Sequence, residues 1–303
     1  MPGRRCGAGM AASSGPEPAA VGRLCDEVGR LLGCRVIDFR FTPGGWSVSV
    51  RGVLTLAGGD TVFGKLGDVP DTASALRDEI RAYGLLGPRP FMPRFIAADP
   101  QVPVLVIEDL SRALRVPPWT VQTLDAFRRL CQELAATTAP TGLPALEPEV
   151  VDDGWVRVAA DPAPAARVLP AAWLERNLPT LCDAQRQAHA AGSDLVHTDL
   201  RSDNLLFLPD RAIGLDWNLS RRGNGRWDPH LTAHTVSMEG GGRVEEVLPD
   251  PDPAIITWLA GFFASRAGLP PPEGAPRVRG FQRAQLEVVL PWACRLLGLA
   301  PPP

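Results

Sequence analysis

From Val21 the apolar positions Val21, Leu24, Cys25, Val28, Leu31 and Leu32 recur at helical spacing, and Gly33 closes the run. The period then shortens to two. Ile37, Phe39 and Phe41 alternate with polar residues, Thr42-Pro-Gly-Gly45 makes a turn, and Trp46, Val48 and Val50 resume the alternation. Leu54 and Leu56 keep the same parity, which predicts one long strand over 46–56. Gly52 leaves a gap on that face, as expected where another backbone comes close. After the turn Ala57-Gly-Gly-Asp60, a third strand runs through Val62 to Leu66, and a three-stranded antiparallel meander is the economical assembly. Residues 71–86 are helical, with Leu76, Ile80, Tyr83 and Leu86 on one face and Glu79 within the helix. Phe95-Ile-Ala97 and Val104-Leu-Val-Ile107 are two further short strands. The chain up to about residue 110 thus predicts a five-stranded antiparallel sheet with a helix between strands three and four.

Beyond residue 111 the pattern is mainly helical, with helices expected over 124–136, 171–190, 255–267 and 283–297. The Pro/Ala-rich stretch 140–169 has no firm period and reads as a long loop or insertion. Between helices lies Leu195-Val-His-Thr-Asp-Leu-Arg-Ser-Asp-Asn-Leu-Leu-Phe207. It reads as an apolar strand, a polar loop and a second strand, followed by a Pro209-Asp210 turn and a third strand ending at Asp216. The loop holds His197, Asp199 and Asn204 in the spacing H-x-D-x-x-x-x-N, and Asp216 lies seventeen residues beyond Asp199. In phosphoryl transfer an Asp accepts the substrate hydroxyl proton, while a nearby Asn and a later Asp hold magnesium.

Composition narrows the setting. At 303 residues, 45% hydrophobic and 21% charged, the chain has room for two lobes of ordinary globular make-up. A net charge of −3 gives no electrostatic case for nucleic acid or an anionic membrane. Residues 1–19 read as a disordered leader without the apolar region of a signal peptide, and no apolar run reaches a membrane span. The six cysteines show no C-x-x-C pair or zinc spacing and read as reduced core thiols, so the expected compartment is the cytoplasm. The whole chain contains one lysine, Lys65, on the third strand.

Gly59-Asp-Thr-Val-Phe-Gly64-Lys65 nearly matches a phosphate-binding P-loop, but Leu66 stands at the hydroxyl position and the segment alternates as a strand. A Lys65–Glu79 ion pair that places the ammonium on nucleotide phosphates is the alternative device. Gly44, Gly45 and Ser47 sit in the first strand turn, where glycines let backbone N–H groups approach phosphate oxygens; a plain hairpin turn reads equally well. His230 and His234, four apart on a possible helix, could chelate a metal, but no Glu follows His230 and packing or surface histidines are the better reading. Glu147, Glu149, Asp152 and Asp153 read as a solvated loop, or as a contact for a cationic substrate.

Assembled, these residues resemble the aminoglycoside phosphotransferase/choline kinase-like family of small-molecule kinases, from about residue 36 to at least Asp228. The resemblance is strongest in His197-Thr-Asp-Leu-Arg-Ser-Asp-Asn204 and Leu215-Asp216-Trp217. It implies an α+β, two-lobed protein-kinase-like fold, with a nucleotide-binding lobe over 20–110 and a helical lobe over 111–303. It further implies Asp199 as catalytic aspartate, His197 as a brace of the loop, and Asn204 and Asp216 as Mg²⁺ ligands. Lys65 would contact the phosphates of ATP or GTP and pair with Glu79. Ile107-Glu108-Asp109-Leu110 matches the hinge that reads the base, and Asp228 matches an aspartate that supports the catalytic segment. Thr198 stands where Gly is more frequent in the family, and Arg201 is placed to help neutralise the transferred phosphoryl group. The implied reaction is Mg²⁺-dependent transfer of a γ-phosphoryl group to a small hydroxylated molecule, with antibiotics first among acceptors and choline, homoserine or a sugar as the metabolic alternative. The other classes open to the sequence are a nucleotide-binding pseudokinase and a metal-dependent hydrolase. A monomer or homodimer is expected.

Overall fold

The computed structural model describes residues 16–42, 50–146, 154–272 and 276–303. Gly44, Gly45 and Ser47, and the acidic group Glu147, Glu149, Asp152 and Asp153, lie outside the described residues. The chain divides into two compact units, residues 1–113 and 114–303.

The first unit opens with helix α1 (Pro18–Leu32), followed by strands β1 (Val36–Phe41), β2 (Val50–Leu56) and β3 (Thr61–Leu66). Helix α2 (Pro70–Leu86) and strands β4 (Phe95–Asp99) and β5 (Val104–Glu108) complete it. The sheet is antiparallel throughout, in the order β1-β2-β3-β5-β4. Ala20, Leu24 and Val28 of α1 bury one sheet face, made by Val50, Leu54, Val62, Leu66, Val104 and Val106. Gly52 belongs to that face. A Cβ there would lie 2.4 Å from the Arg40 carbonyl and 2.6 Å from the Phe39 ring, so the gap in the hydrophobic pattern marks a close backbone approach. Because side chains alternate, Lys65 falls on the opposite face, in register with Arg51 on β2 and Leu105 on β5.

The second unit contains α3 (Val121–Ala135), the short helices α4 (Trp155–Ala160) and α5 (Ala163–Ala166), and α6 (Ala171–Gln185). Strands β6 (Asp194–Val196), β7 (Leu205–Phe207), β8 (Ala212–Gly214) and β9 (Arg221–Gly223) precede α7 (Trp227–Met238), α8 (Val244–Val247), α9 (Pro253–Ala267) and α10 (Val278–Leu297). Twelve of the fifteen residues of α9 are buried, which makes it the central helix, packed against α4, α5, α6, α7 and α10. Among the described residues no helix is long and apolar enough to cross a membrane.

Two expectations are corrected here, and one helix is added. The stretch 140–169 is not all loop: it holds α4 and α5, anchored by Trp155, whose indole N–H donates to the Thr257 carbonyl at 2.8 Å. The helix expected over 171–190 ends at Gln185. Beyond it the His189 carbonyl accepts from both the Asn224 amide and the Trp227 indole, which commits that segment to the turn after β9. Helix α7 lacks a periodic sequence signal because it is buried on most sides.

His230 and His234 lie on α7 as packing residues. His230 Nδ1 bonds the Arg226 carbonyl, and its Nε2 accepts the Asp252 N–H at 2.6 Å. Gln285 Nε2 meets His234 Nε2 at 3.0 Å. Burial pushes the two imidazoles down to about 4 and about 3, so both are neutral. Among the described residues no cluster of three or more His, Cys, Asp or Glu is placed to hold a metal.

Candidate active site

Lys65 is buried on β3, and a buried ammonium requires a counter-charge. Glu79, buried on α2, supplies it: both carboxylate oxygens lie 2.9 Å from the Lys65 Nζ. The pair therefore ties α2 to the sheet. A groove of about 610 Å³, lined by Asp38, Arg40, Thr55, Thr61, Asp109 and Ser111 among others, lies on the same unit. Its strand residues Asp38, Arg40 and Thr55 share the sheet face of Lys65 by register. Glu108 is turned back toward the segment before β4: its carboxylate accepts the Arg94 N–H at 2.7 Å, and its own N–H donates to the Arg94 carbonyl at 3.0 Å. The Asp109 side chain accepts the Ser111 N–H at 2.8 Å, and the Leu110 carbonyl accepts the Ala113 N–H. These bonds fix the segment that follows β5.

In the second unit β6 delivers the loop and the β7–β8 hairpin carries it on. Strand β6 does not pair with that hairpin but with β9, in the register Val196↔Arg221. The loop is braced at its start by Asp228 in the first turn of α7. Its Oδ2 accepts the His197 backbone N–H at 2.8 Å and its Oδ1 accepts the Thr198 N–H at 2.7 Å. Burial raises the Asp228 carboxyl to about 7, against the pull of those two N–H donors and with a further push from the Asp199 charge.

His197 is fully buried, edge-on to Trp217 at 4.6 Å. Its Nε2 bonds the Leu215 carbonyl at 2.8 Å, and the Asp199 N–H points at its Nδ1 at 3.3 Å. That assigns the proton to Nε2, so one neutral ring links the loop to the strand end that bears Asp216. Burial holds its pKa below the ordinary value.

Asp199 is gripped from two sides. Arg201 Nε donates to Oδ1 at 2.7 Å and Nη2 to Oδ2 at 3.2 Å; Asn204 Nδ2 donates to Oδ2 and to the Asp199 carbonyl, both at 2.9 Å. Arg201 also lies 3.5 Å from Asp203. Since both Asn204 amide hydrogens are used on Asp199, its Oδ1 is the side-chain atom that can accept a further bond or ligate a cation. Asn204 itself sits in a 3₁₀ turn, Ser202–Asn204, whose Asn204 N–H donates to the Arg201 carbonyl.

Thr198 (φ 70°) and Asp216 (φ 58°) are the two non-glycine residues with positive φ among the described residues. Such strain persists only where surrounding bonds over-determine it, and it clusters at functional sites. A glycine at position 198 would adopt this conformation without the steric cost that a threonine bears. The Asp228 bond to its N–H and its own Oγ1 bond to the Leu219 carbonyl at 2.9 Å hold the threonine in place.

Comparison with solved structures decides the architecture. Choline kinase LicA from Streptococcus pneumoniae superposes with a TM-score of 0.60 over 92% of this chain and 99% of its own, at 13% identity; its AMP complex matches too. The fold is that of the small-molecule kinases. A choline/ethanolamine kinase family protein from Mesorhizobium loti shares this kinase-like fold at a TM-score of 0.60 and 16% identity, over 92% of this chain and 98% of its own. So does spectinomycin phosphotransferase APH(9)-Ia, solved with ADP and spectinomycin, at 0.57 and 11%, over 88% and 93%. No family model matches the sequence. A curated relative, Probable acyl-CoA dehydrogenase IBR3 of Arabidopsis thaliana, is 46% identical over 59 residues, which is 18% of this chain. The match spans 7% of that protein's length and is a local one.

Sequence reasoning missed one part of this candidate site. Ser202 is hydrogen-bonded to Glu239, just past α7, which also accepts from the Trp119 indole. Only the Glu239-Gly-Gly-Gly242 run hinted at a shaped turn there.

Proposed function

We propose that this protein transfers the γ-phosphoryl group of ATP or GTP to a hydroxyl of a small molecule, with Asp199 as the catalytic aspartate. The observation that carries the reading is the arrangement around Asp199: a carboxylate held by Arg201 and Asn204, on a loop fastened by His197 and Asp228. Asp199 would orient the acceptor hydroxyl and take its proton. Residues 20–110 would form the nucleotide lobe and 111–303 the catalytic and acceptor lobe. Lys65, steadied by Glu79, would contact the phosphates, with Gly44, Gly45 and Ser47 in the first strand turn approaching them through the backbone. Glu108 and Leu110, in the segment whose internal bonds fix its course, would present backbone groups to the base.

Mg²⁺ fits the donors present. Asn204 Oδ1 and the Asp216 carboxylate are hard oxygen ligands, and magnesium takes one or two protein oxygens while keeping waters and phosphate oxygens. When bound at Asn204 and Asp216 it would supply charge neutralisation for the phosphates. Arg201 would hold the Asp199 carboxylate in place and, from beside it, add positive charge for the transferred group. Arg201→Ala is expected to lower turnover at saturating ATP by about tenfold or more; unchanged turnover would remove it from the mechanism.

For the acceptor, an aminoglycoside or another hydroxylated antibiotic is the first reading, supported by the likeness to a spectinomycin phosphotransferase; a metabolic alcohol is the second, supported by the likeness to choline kinases. The test is product formation with ATP and Mg²⁺ across aminoglycosides, other antibiotics, choline, homoserine and sugars. Asp199→Asn should bind nucleotide normally and lose turnover by roughly 10²-fold or more. An Asp199→Asn variant as fast as the parent would refute the assignment.

A further inference from the structure

Glu239 follows directly on α7, the helix whose first turn carries Asp228. Its Oε1 accepts the Ser202 hydroxyl at 2.6 Å and its Oε2 accepts the Trp119 indole N–H at 2.9 Å. Trp119 is buried, edge-on to Phe127 of α3 at 6.1 Å and to Phe207 of β7 at 5.9 Å, so its N–H has a fixed direction. The turn that ends α7 shapes the meeting point. Gly240 and Gly242 adopt φ of 85° and 108°, and a Cβ on Gly241 would stand 2.5 Å from a Val236 methyl and 3.1 Å from the Trp119 ring. Helix α7 therefore grips the loop at two points. Asp228 at one end holds the backbone of His197 and Thr198, and Glu239 at the other holds the side chain of Ser202.

Ser202 begins the 3₁₀ turn that contains Asn204, and Asn204 in turn bonds the Asp199 carboxylate. A carboxylate bonded to a hydroxyl and to a rigid indole sets that turn more firmly than a solvated side chain could. We infer that Glu239 is a positioning residue for the phosphoryl-transfer site: through Ser202, and anchored by Trp119, it sets the turn that aims Asn204 and Asp199. The kinetic half of this inference rests on the proposed function; the structural half does not.

The test compares the full-length parent with Glu239→Ala, Glu239→Gln and Ser202→Ala, using two readouts. Hydrogen exchange over residues 200–206 reports the turn directly, and kcat and KM for ATP report its consequence. Glu239→Ala and Ser202→Ala should both speed exchange in that segment by about tenfold or more. Both should lower kcat by a similar ~10-fold factor with KM for ATP within about twofold, because misplacement costs turnover before binding. Glu239→Gln, which keeps an acceptor, should fall between. Parental exchange in both variants would overturn the inference. So would a kcat loss in Glu239→Ala that Ser202→Ala does not share, since Glu239 would then act on substrate itself. Ser202→Ala removes one hydroxyl and carries the test if Glu239→Ala does not fold. A parent without ATP turnover would reject the proposed activity, and exchange would still decide the brace.

Discussion

Taking away one member of the Lys65–Glu79 pair removes two 2.9 Å charge-assisted hydrogen bonds from a buried site. Both side chains are more than nine-tenths shielded, at 9% and 5% exposure, and they meet at 2.9 Å. Glu79→Gln is therefore expected to lower stability by about 2 kcal/mol, and Lys65→Met with Glu79→Gln to lose less than the two single changes added together, as read by denaturant unfolding. An additive double variant would show that the two charges are not coupled. Asp228 makes a second residue-scale prediction. Its folded pKa of about 7 lies above the ordinary carboxyl value near 3.9, so the folded state keeps a proton that the unfolded state has already lost. The stability this contributes is present below about pH 4 and is lost as pH rises through about 7. Function runs the other way. The ionised carboxylate is the better acceptor for the His197 and Thr198 N–H groups, so turnover should fall as pH drops below about 7. Asp228→Asn, which can accept only one of the two bonds well, should lose turnover and flatten that limb of the profile.

At the scale of elements, α7 brings together the brace at Asp228 and two histidines held neutral by burial. Their pKa values of about 4 and about 3 lie below the ordinary 6.5, so between those limits the unfolded chain binds more protons than the folded one. The histidine contribution should therefore cost several kcal/mol as pH falls from about 6.5 toward 4, partly offset by the stability that Asp228 regains over the same range. Melting temperature followed from pH 7 to pH 4 checks this, and His234→Leu should reduce the slope. The same helix shows what sequence pattern can convey. A period of 3.6 arises only where one face meets solvent, which is why α1 and α3 were legible from periodicity, whereas α7 was suggested only by its paired histidines. Strand β9 was missed for a related reason. Arg221-Arg-Gly223 has no apolar alternation, and only its pairing with β6 makes it a strand. Gly52, by contrast, was readable because a glycine on a hydrophobic face has few purposes other than close approach.

Over the whole molecule, identities of 11 to 16% accompany TM-scores of 0.57 to 0.60. The architecture is thus carried by patterning and by a few fixed contacts, and those were visible in the sequence. The residues gathered around Asp199 could be picked out from the sequence by their types and their spacing, H-x-D-x-x-x-x-N. The acceptor of the proposed reaction cannot be picked out in that way, because a binding surface can be built from many residue combinations. A bound nucleotide should raise the melting temperature in proportion to RT ln(1 + [L]/Kd). ADP with Mg²⁺ at about a hundred times Kd would add about 2.7 kcal/mol of stability, and Asn204→Ala should reduce the Mg²⁺-dependent part of the rise.

The placement of the single lysine has a practical consequence. An amine-reactive reagent applied to the folded protein has one side-chain target, and that target is shielded and held by a carboxylate. Slow labelling of Lys65 would thus be a direct gauge of how often α2 releases its grip on the sheet. A nucleotide seated on the ammonium would slow it further, without any need to know the acceptor. With the α-amino group counted apart, the chain carries its own single side-chain amine as a chemical probe.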